Sequence, residues 1–310
     1  MRHAVSGLVF SAALAAMLCG AIDATAQTLV RDTVSGDYVL RFPWADSVVE
    51  VGVEAGDQVE PSFDATVDSS GRAWAYRYVL RNAPSAKRAI GYLQFPCPPQ
   101  DSLRRFEAPR HRVARSQASG GSVMCEFIIA LSDEDRVWPG DSLAGFVAFS
   151  AYLPGIVEAS VNAATRSVAL DEEMWEIPGI SGLIERANGE DYETGGGKRI
   201  SVVAPLRSAA ALEDPAALAL LEADRAASCE RLQWIRADVV CSTLATQLAV
   251  ARRAVQNGNR TAAAAALDRF IAVLTAHRGK AVNTNAYSLL ATNARFARSH
   301  IAAQQRSTPE

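Results

Sequence analysis

The chain has 310 residues, 31 Lys and Arg against 34 Asp and Glu, a formal net charge of −3 and 49% hydrophobic residues. That length holds one large or two ordinary domains. A negative balance without any recognisable base-reading motif argues against a nucleic-acid partner.

The first segment reads as an export signal. Met1, Arg2 and His3 give a short positive end, Gly7 to Gly20 form an apolar stretch, and Ala24-Thr25-Ala26 supplies the small-x-small pattern that a signal peptidase accepts. The expectation is a signal peptide over residues 1–26, cleavage before Gln27 and a secreted or periplasmic product. The apolar run is shorter than the ~20 residues that span a bilayer, and Asp23 places a charge just past its end. Ala16-Met17-Leu18 before Cys19 is not the Leu-small-small context of a lipoprotein. Once Cys19 leaves, Cys97, Cys125, Cys229 and Cys241 remain, an even number suited to an oxidising compartment. Sequence neighbours suggest Cys97 with Cys125 and Cys229 with Cys241, although four cysteines permit three connectivities. A four-cysteine zinc site would want C-x-x-C pairs, and the sequence has none.

From Gln27 to about Pro205 the text is rich in Val, Phe, Tyr, Trp, Gly and Pro. Thr28–Val34, Tyr38–Phe42, Val48–Val53, Trp74–Leu80, Ala89–Phe95, Cys125–Leu131, Gly145–Ser150 and Val157–Val161 read as short strands bounded by turn residues. In Trp74-Ala75-Tyr76-Arg77-Tyr78 the large rings fall on every second residue, as a half-buried strand requires. Asn82-Ala83-Pro84-Ser85 and Trp138-Pro139-Gly140-Asp141 are turns, since Pro fixes φ and Gly admits positive φ. Repeated strands without helical spacers predict an antiparallel sandwich or barrel.

Past Pro205 alanine and arginine dominate and the period becomes helical. Asp214-Pro215 reads as an N-cap with Pro in the first turn, followed by Leu218, Leu221, Cys229, Leu232 and Ile235 on one face. A second helix starts near Asp238, with Leu244, Leu248, Ala251 and Val255 inward and Gly258 as its stop. Thr261 is the expected cap of a third, bearing Leu267, Phe270, Ile271 and Leu274 before Gly279. A fourth runs from about Asn285, with Tyr287, Leu290, Ala294 and Ile301 inward. The fold class expected is therefore α+β: a β-sandwich over 27–204 and an antiparallel helical bundle over 205–310. A Cys229–Cys241 bond would force the chain to reverse between them, because ~12 residues of helix would hold them ~18 Å apart.

Leu244, Leu248, Ala251, Val255 and Gly258-Asn259, then Ala266-Leu267, Phe270-Ile271 and Gly279-Lys280, then Leu289-Leu290 and Ala294, resemble the FIMAH module. That family comprises small helical adapter domains at the ends of secreted or surface bacterial proteins. The resemblance covers roughly Asp238 to Ile301 and implies an adapter with no catalytic residues to carry over. Tyr76-Arg77-Tyr78-Val79-Leu80-Arg81-Asn82 and Leu153-Pro154-Gly155-Ile156 more loosely resemble the Ig-like sandwiches of bacterial exported proteins.

Charge divides between the halves: 18 basic against 27 acidic residues over 27–214, and 12 against 5 over 215–306. The basic bundle could dock on the acidic sandwich, meet an anionic glycan or envelope phosphate, or simply be solvated. Gly140-Asp141-Ser142-Leu143 spells the GDSL hydrolase word, yet it comes after Trp138-Pro139 in a strand-rich region with no downstream Asp-x-x-His to supply a base. His111, His277 and His300 fall in a loop and at two helix ends, where solvation is the ordinary outcome. Gly195-Gly196-Gly197-Lys198 lacks the preceding Gly of a phosphate loop and carries Arg199 where Ser or Thr should stand.

Asp133-Glu134-Asp135 and Asp171-Glu172-Glu173 lack the liganding repeat of a calcium loop. Glu126, Asp133 and Glu158 are the carboxylates of the β region that glycoside cleavage would need paired. Trp74, Trp138, Tyr152 and Trp175 are either a sugar-stacking patch or core. The expectation is a non-catalytic exported binding or structural protein without cofactor or metal, meeting a protein or glycan of the cell envelope. Its alternative is a secreted glycan- or ester-processing hydrolase.

Overall fold

A computed structural model describes residues 27–70, 73–99, 103–109, 112–119, 122–129, 136–189 and 197–306. The expected signal peptide, His111, Asp133-Glu134-Asp135 and Gly195-Gly196 lie outside them. Twelve strands are described: β1 (Thr28–Arg31), β2 (Tyr38–Trp44), β3 (Ser47–Val53), β4 (Pro61–Ser70), β5 (Ala73–Asn82), β6 (Ile90–Cys97), β7 (Leu103–Glu107), β8 (Val113–Ser119), β9 (Ser122–Ile128), β10 (Ser142–Ser150), β11 (Tyr152–Ala163) and β12 (Lys198–Ser208). They form three antiparallel sheets, ordered β1-β2-β3, β4-β5-β10-β7 and β12-β11-β6-β9-β8.

The two larger sheets make the sandwich. Their order is that of an immunoglobulin-type fold: β4-β5-β10-β7 corresponds to A-B-E-D, β6-β11-β12 to C-F-G, and the β8–β9 hairpin extends the second sheet beyond C. Phe63, Tyr78, Phe95, Phe127 and Phe146 fill the space between, with Phe63 stacked on Tyr78 at 4.6 Å and Phe127 against Phe146 at 4.7 Å. The alternation in β5 works as expected: Tyr76 and Tyr78 are buried while Arg77 is exposed. β12 continues through Pro205 to Ser208, past the expected division between residues 204 and 205. Pro205 is tolerated because β12 is an edge strand, which can spare one N–H.

The first three strands stand apart from the sandwich. They form their own sheet, covered by two helices inserted between β11 and β12: α1 (Glu172–Trp175) and α2 (Ile180–Asn188). Leu40, Phe42 and Val53 of the sheet pack with Val168, Ile180, Ile184 and Ala187 as a separate small core. β1 stops early because the Asp32 carboxylate accepts hydrogen bonds from the backbone N–H of Val34 and Ser35, turning the chain. Arg88 joins this unit to the sandwich, binding both Asp37 oxygens at 2.9 and 2.8 Å and Glu54 at 2.8 Å. Gly56 lies where any side chain would strike the Asn188 carbonyl, so glycine is required at that crossing.

The C-terminal part is an antiparallel bundle of α3 (Asp214–Ala226), α4 (Asp238–Gln256), α5 (Arg260–His277) and α6 (Thr284–Arg306). None of the described helices is long and apolar enough to cross a membrane. The helix ends differ from expectation at three places. Asn259, not Thr261, caps α5, accepting from the Ala262 N–H at 2.9 Å. Asp214 does not cap α3; its buried carboxylate lies 2.8 Å from His300 Nδ1 of α6, so His300 is partnered rather than simply solvated. α3 also ends before Cys229: a π-turn over Ala227–Arg231 and Gln233 at φ 51° reverse the chain. That reversal brings the Cα atoms of Cys229 and Cys241 to 6.0 Å in a disulfide. The second disulfide, Cys97–Cys125, staples β6 to β9 with Cα atoms 5.5 Å apart. Both pairs are those suggested by sequence proximity.

The bundle lies against the sandwich through α6, and one apolar core runs from Phe63 and Leu80 to Leu267 and Leu289. At the edge strand β4, the Asn285 side chain accepts from the Ala65 N–H at 2.8 Å and donates to the Phe63 carbonyl at 3.2 Å. A single amide thus occupies the place a neighbouring strand would take. Further along, a bulge between Leu153 and Pro154 leaves the Pro154 carbonyl to accept from Asn293 at 3.1 Å and Arg207 at 3.3 Å. Arg207 and Asn293 both also bond the buried Asp224 carboxylate of α3.

Candidate functional site

An open concavity lies at the sandwich end where the β5–β6 connection meets the turn entering β10. It is a cleft of about 460 Å³ lined by Glu60, Ser62, Arg81, Asn82, Ala83, Pro84, Gly140, Asp141 and Ser142. Two turns legible in the sequence form its walls. Asp141 N–H closes one onto the Trp138 carbonyl at 2.9 Å, with Gly140 at φ 89°. Pro84 faces Gly140 from the other.

Asn82 fixes the walls. Its side chain donates to the Arg88 carbonyl at 2.7 Å and the Val137 carbonyl at 3.2 Å, and accepts from the Glu60 N–H at 3.1 Å. Its backbone pairs with Asp141 and Gly140. Buried and fully bonded, Asn82 ties β4, the β5–β6 connection and the β10 turn into one frame. The wall chemistry is charged and polar. Arg81 pairs with Asp64, the Ser85 hydroxyl donates to Glu60, and Ser142 and Asp141 are exposed. Trp138, first residue of the β10 turn, is 47% exposed.

The cleft gathers the GDSL word but no described histidine. His277 ends α5, and His300 sits on α6 against Asp214, stacked near Phe296. The four aromatic candidates do not form one patch. Trp74 pairs in register with Ser150, at the end of β10 opposite Trp138, and its ring meets Phe296 of α6 edge-on at 6.2 Å. Tyr152 comes two residues after Ser150, at that same end. Trp175 belongs to α1, against the small sheet.

Of the three carboxylates of the β region, Asp133 is outside the described residues. Glu126 and Glu158 share the outer face of the five-stranded sheet. Register runs Arg199, Ser160, Gln94, Glu126, Arg115 across its five strands. Glu126 is buried there and bound by Arg115, whereas Glu158 is two strands and two residues away, roughly 12 Å between backbones. No described contact brings the two carboxyl groups together: Glu126 is held by Arg115, and Glu158 lies 3.7 Å from Arg199. Burial first, then the Glu126 carboxylate, hold the Tyr92 phenol of the same face far above its ordinary range. Asp171-Glu172-Glu173 form the exposed first turn of α1, and among the described residues no three His, Cys, Asp or Glu converge as metal ligands. Sequence reasoning misses Glu60, Ser62 and Arg81 as site residues, because none belongs to a motif and only the pairing of β4 with β5 brings them to the β10 turn.

Comparison with protein-family models finds no match, nor does comparison with curated proteins. Among solved structures, an uncharacterized protein from Nocardia farcinica with an immunoglobulin-like fold is 17% identical over 44% of this chain and 96% of its own. Its TM-score of 0.26 is too low to carry an argument, and the immunoglobulin-type order here rests on the strand pairings.

Proposed function

We propose that the chain is an exported, non-catalytic binding protein whose sandwich recognises a glycan in the Asn82-framed cleft, while the helical part serves as adapter. The carrying observation is the cleft itself: a concavity lined by hydroxyl, amide, guanidinium and carboxylate groups, one wall of which is the turn that begins with the exposed Trp138. Sugars are bound by that combination of hydrogen-bonding groups and ring face. Two disulfides suit an oxidising compartment, which supports reading residues 1–26 as a signal peptide. The FIMAH-like residues from Leu244 to Ala294 support the adapter role for 205–310, with 27–204 as the recognition part. The hydrolase alternative would need a base for Ser142.

The test is a calorimetric titration of secreted chain with cellulose-, chitin- and pectin-derived oligosaccharides. Saturable binding that Trp138→Ala weakens at least tenfold without changing the melting curve supports the reading. Turnover of an aryl ester or glycoside that Ser142→Ala abolishes would replace it with the hydrolase, and no binding by any of the three series would remove the glycan.

A further inference from the structure

A second site is built on the bundle where α5 gives way to α6, from residues that do not line the cleft. The sequence spreads arginines along the helices, but the fold brings two of them to one ring. Tyr287 lies in the first turn of α6, and Arg278 is the residue after α5 ends. The Arg278 guanidinium carbon sits 4.3 Å from the Tyr287 ring centroid. Arg295 is two turns further along α6, about 12 Å along the axis. Helical side chains lean toward the N-terminus, and the long arginine stem reaches back. Its guanidinium carbon is 5.8 Å from the same centroid and one of its nitrogens donates to the Tyr287 hydroxyl at 3.1 Å.

Among the described residues, no carboxylate neutralises either guanidinium. Of the carboxylates on the four helices and the turn after α3, Asp214 faces His300, Glu222 and Glu230 face Arg225, Asp224 holds Arg207 and Asn293, Asp268 holds Arg298, and Asp238 lies in the first turn of α4. Among the described residues, Arg278 and Arg295 pair with no carboxylate, and both are exposed. Burial alone would raise the Tyr287 phenol. Hydrogen bonds with Thr275 and Arg295, then the two guanidinium charges, instead draw it below its ordinary range. Two guanidinium groups thus surround one phenol ring, whose hydroxyl accepts from Arg295.

We propose that Arg278, Arg295 and Tyr287 form a binding site for a phosphate-type oxyanion. Guanidinium forks match phosphate oxygens in pairs, and the exposed stems can turn both forks from the ring face to one anion. The Tyr287 hydroxyl supplies a further donor. The phosphate group belongs either to a free ion or to an anionic lipid headgroup, and the two sources are separable in one experiment.

Full secreted chain at low ionic strength is titrated with inorganic phosphate, and separately with phosphatidylglycerol and phosphatidylcholine vesicles, while tyrosinate absorbance is monitored against pH. Phosphate is expected to saturate and to move the Tyr287 titration upward, because the anion cancels the guanidinium field. Arg278→Gln with Arg295→Gln weakens binding at least tenfold, whereas Arg252→Gln on α4 leaves it unchanged. Binding of phosphatidylglycerol vesicles alone, lost in the same double variant, assigns the phosphate to a headgroup. The proposal is overturned if neither probe binds, if the double variant binds as well as the parent, or if Arg252→Gln costs as much.

Discussion

Asn285→Ala is the sharpest test of how the bundle meets the sandwich. The substitution removes the acceptor of the Ala65 N–H and the donor to the Phe63 carbonyl at an edge where Ala65 is 0% and Phe63 2% exposed. Each buried backbone group left unsatisfied costs about 1–3 kcal/mol, against a gain of about 0.5 kcal/mol from helix propensity, so a net loss of about 2–5 kcal/mol is expected. With a urea slope near 3 kcal/mol/M the unfolding midpoint falls by roughly 1 M. The assay is urea unfolding of the disulfide-intact chain, monitored by far-ultraviolet circular dichroism and tryptophan fluorescence together. Asn285→Asp should do no better, since its carboxylate still accepts from Ala65 but opposes the Phe63 carbonyl. A change below about 0.5 kcal/mol for Asn285→Ala would refute the reasoning, because solvent would then be satisfying that edge already. Separation of the two signals into distinct transitions would show that the amide couples two units otherwise able to unfold singly.

Two further outcomes are expected. Cys229→Ser with Cys241→Ser opens a 12-residue loop and should cost about 3 kcal/mol on chain entropy; full retention of stability would mean that the π-turn holds the reversal unaided. Burial raises the Asp224 carboxyl, against the lowering by Arg207 and Asn293. A carboxyl raised in the folded state favours its neutral form there, so its contribution is fullest at acid pH and is lost as pH climbs from the ordinary value of 3.8 through the raised one. Asp224→Asn should remove that falling segment from a plot of urea midpoint against pH, and an unchanged slope would contradict it.

Much of the architecture is legible where a single period governs a segment. Tyr76 and Tyr78 alternate inward because one face of β5 meets the core, and Leu244, Leu248 and Ala251 mark the buried face of α4 by the same logic. β4 alternates in the same way, with Phe63, Ala65 and Val67 inward between Asp64, Thr66 and Asp68, but Phe63 is its one large apolar residue and the signal is weaker. β8, with Val113 and Ala114 as its first apolar residues, has no such signal; its place comes from pairing with β9. The cleft shows the same division. Both of its turns are written in Pro and Gly, but the role of Asn82 depends on Glu60, Arg88 and Val137 arriving from three different segments. Nor does spacing reveal that Arg278 and Arg295 share Tyr287, since that needs the α5–α6 turn and the backward lean of a long side chain.

The small sheet has a consequence for the order of events during synthesis. β1, β2 and β3 leave the ribosome before any strand of the sandwich, yet the residues that cover Leu40 and Phe42, namely Val168, Ile180 and Ile184, come after β11. Until then a Val-rich three-stranded sheet with two open edges lacks the residues that cover its apolar face. The earliest-made part of the described chain is therefore among the last whose core can be completed.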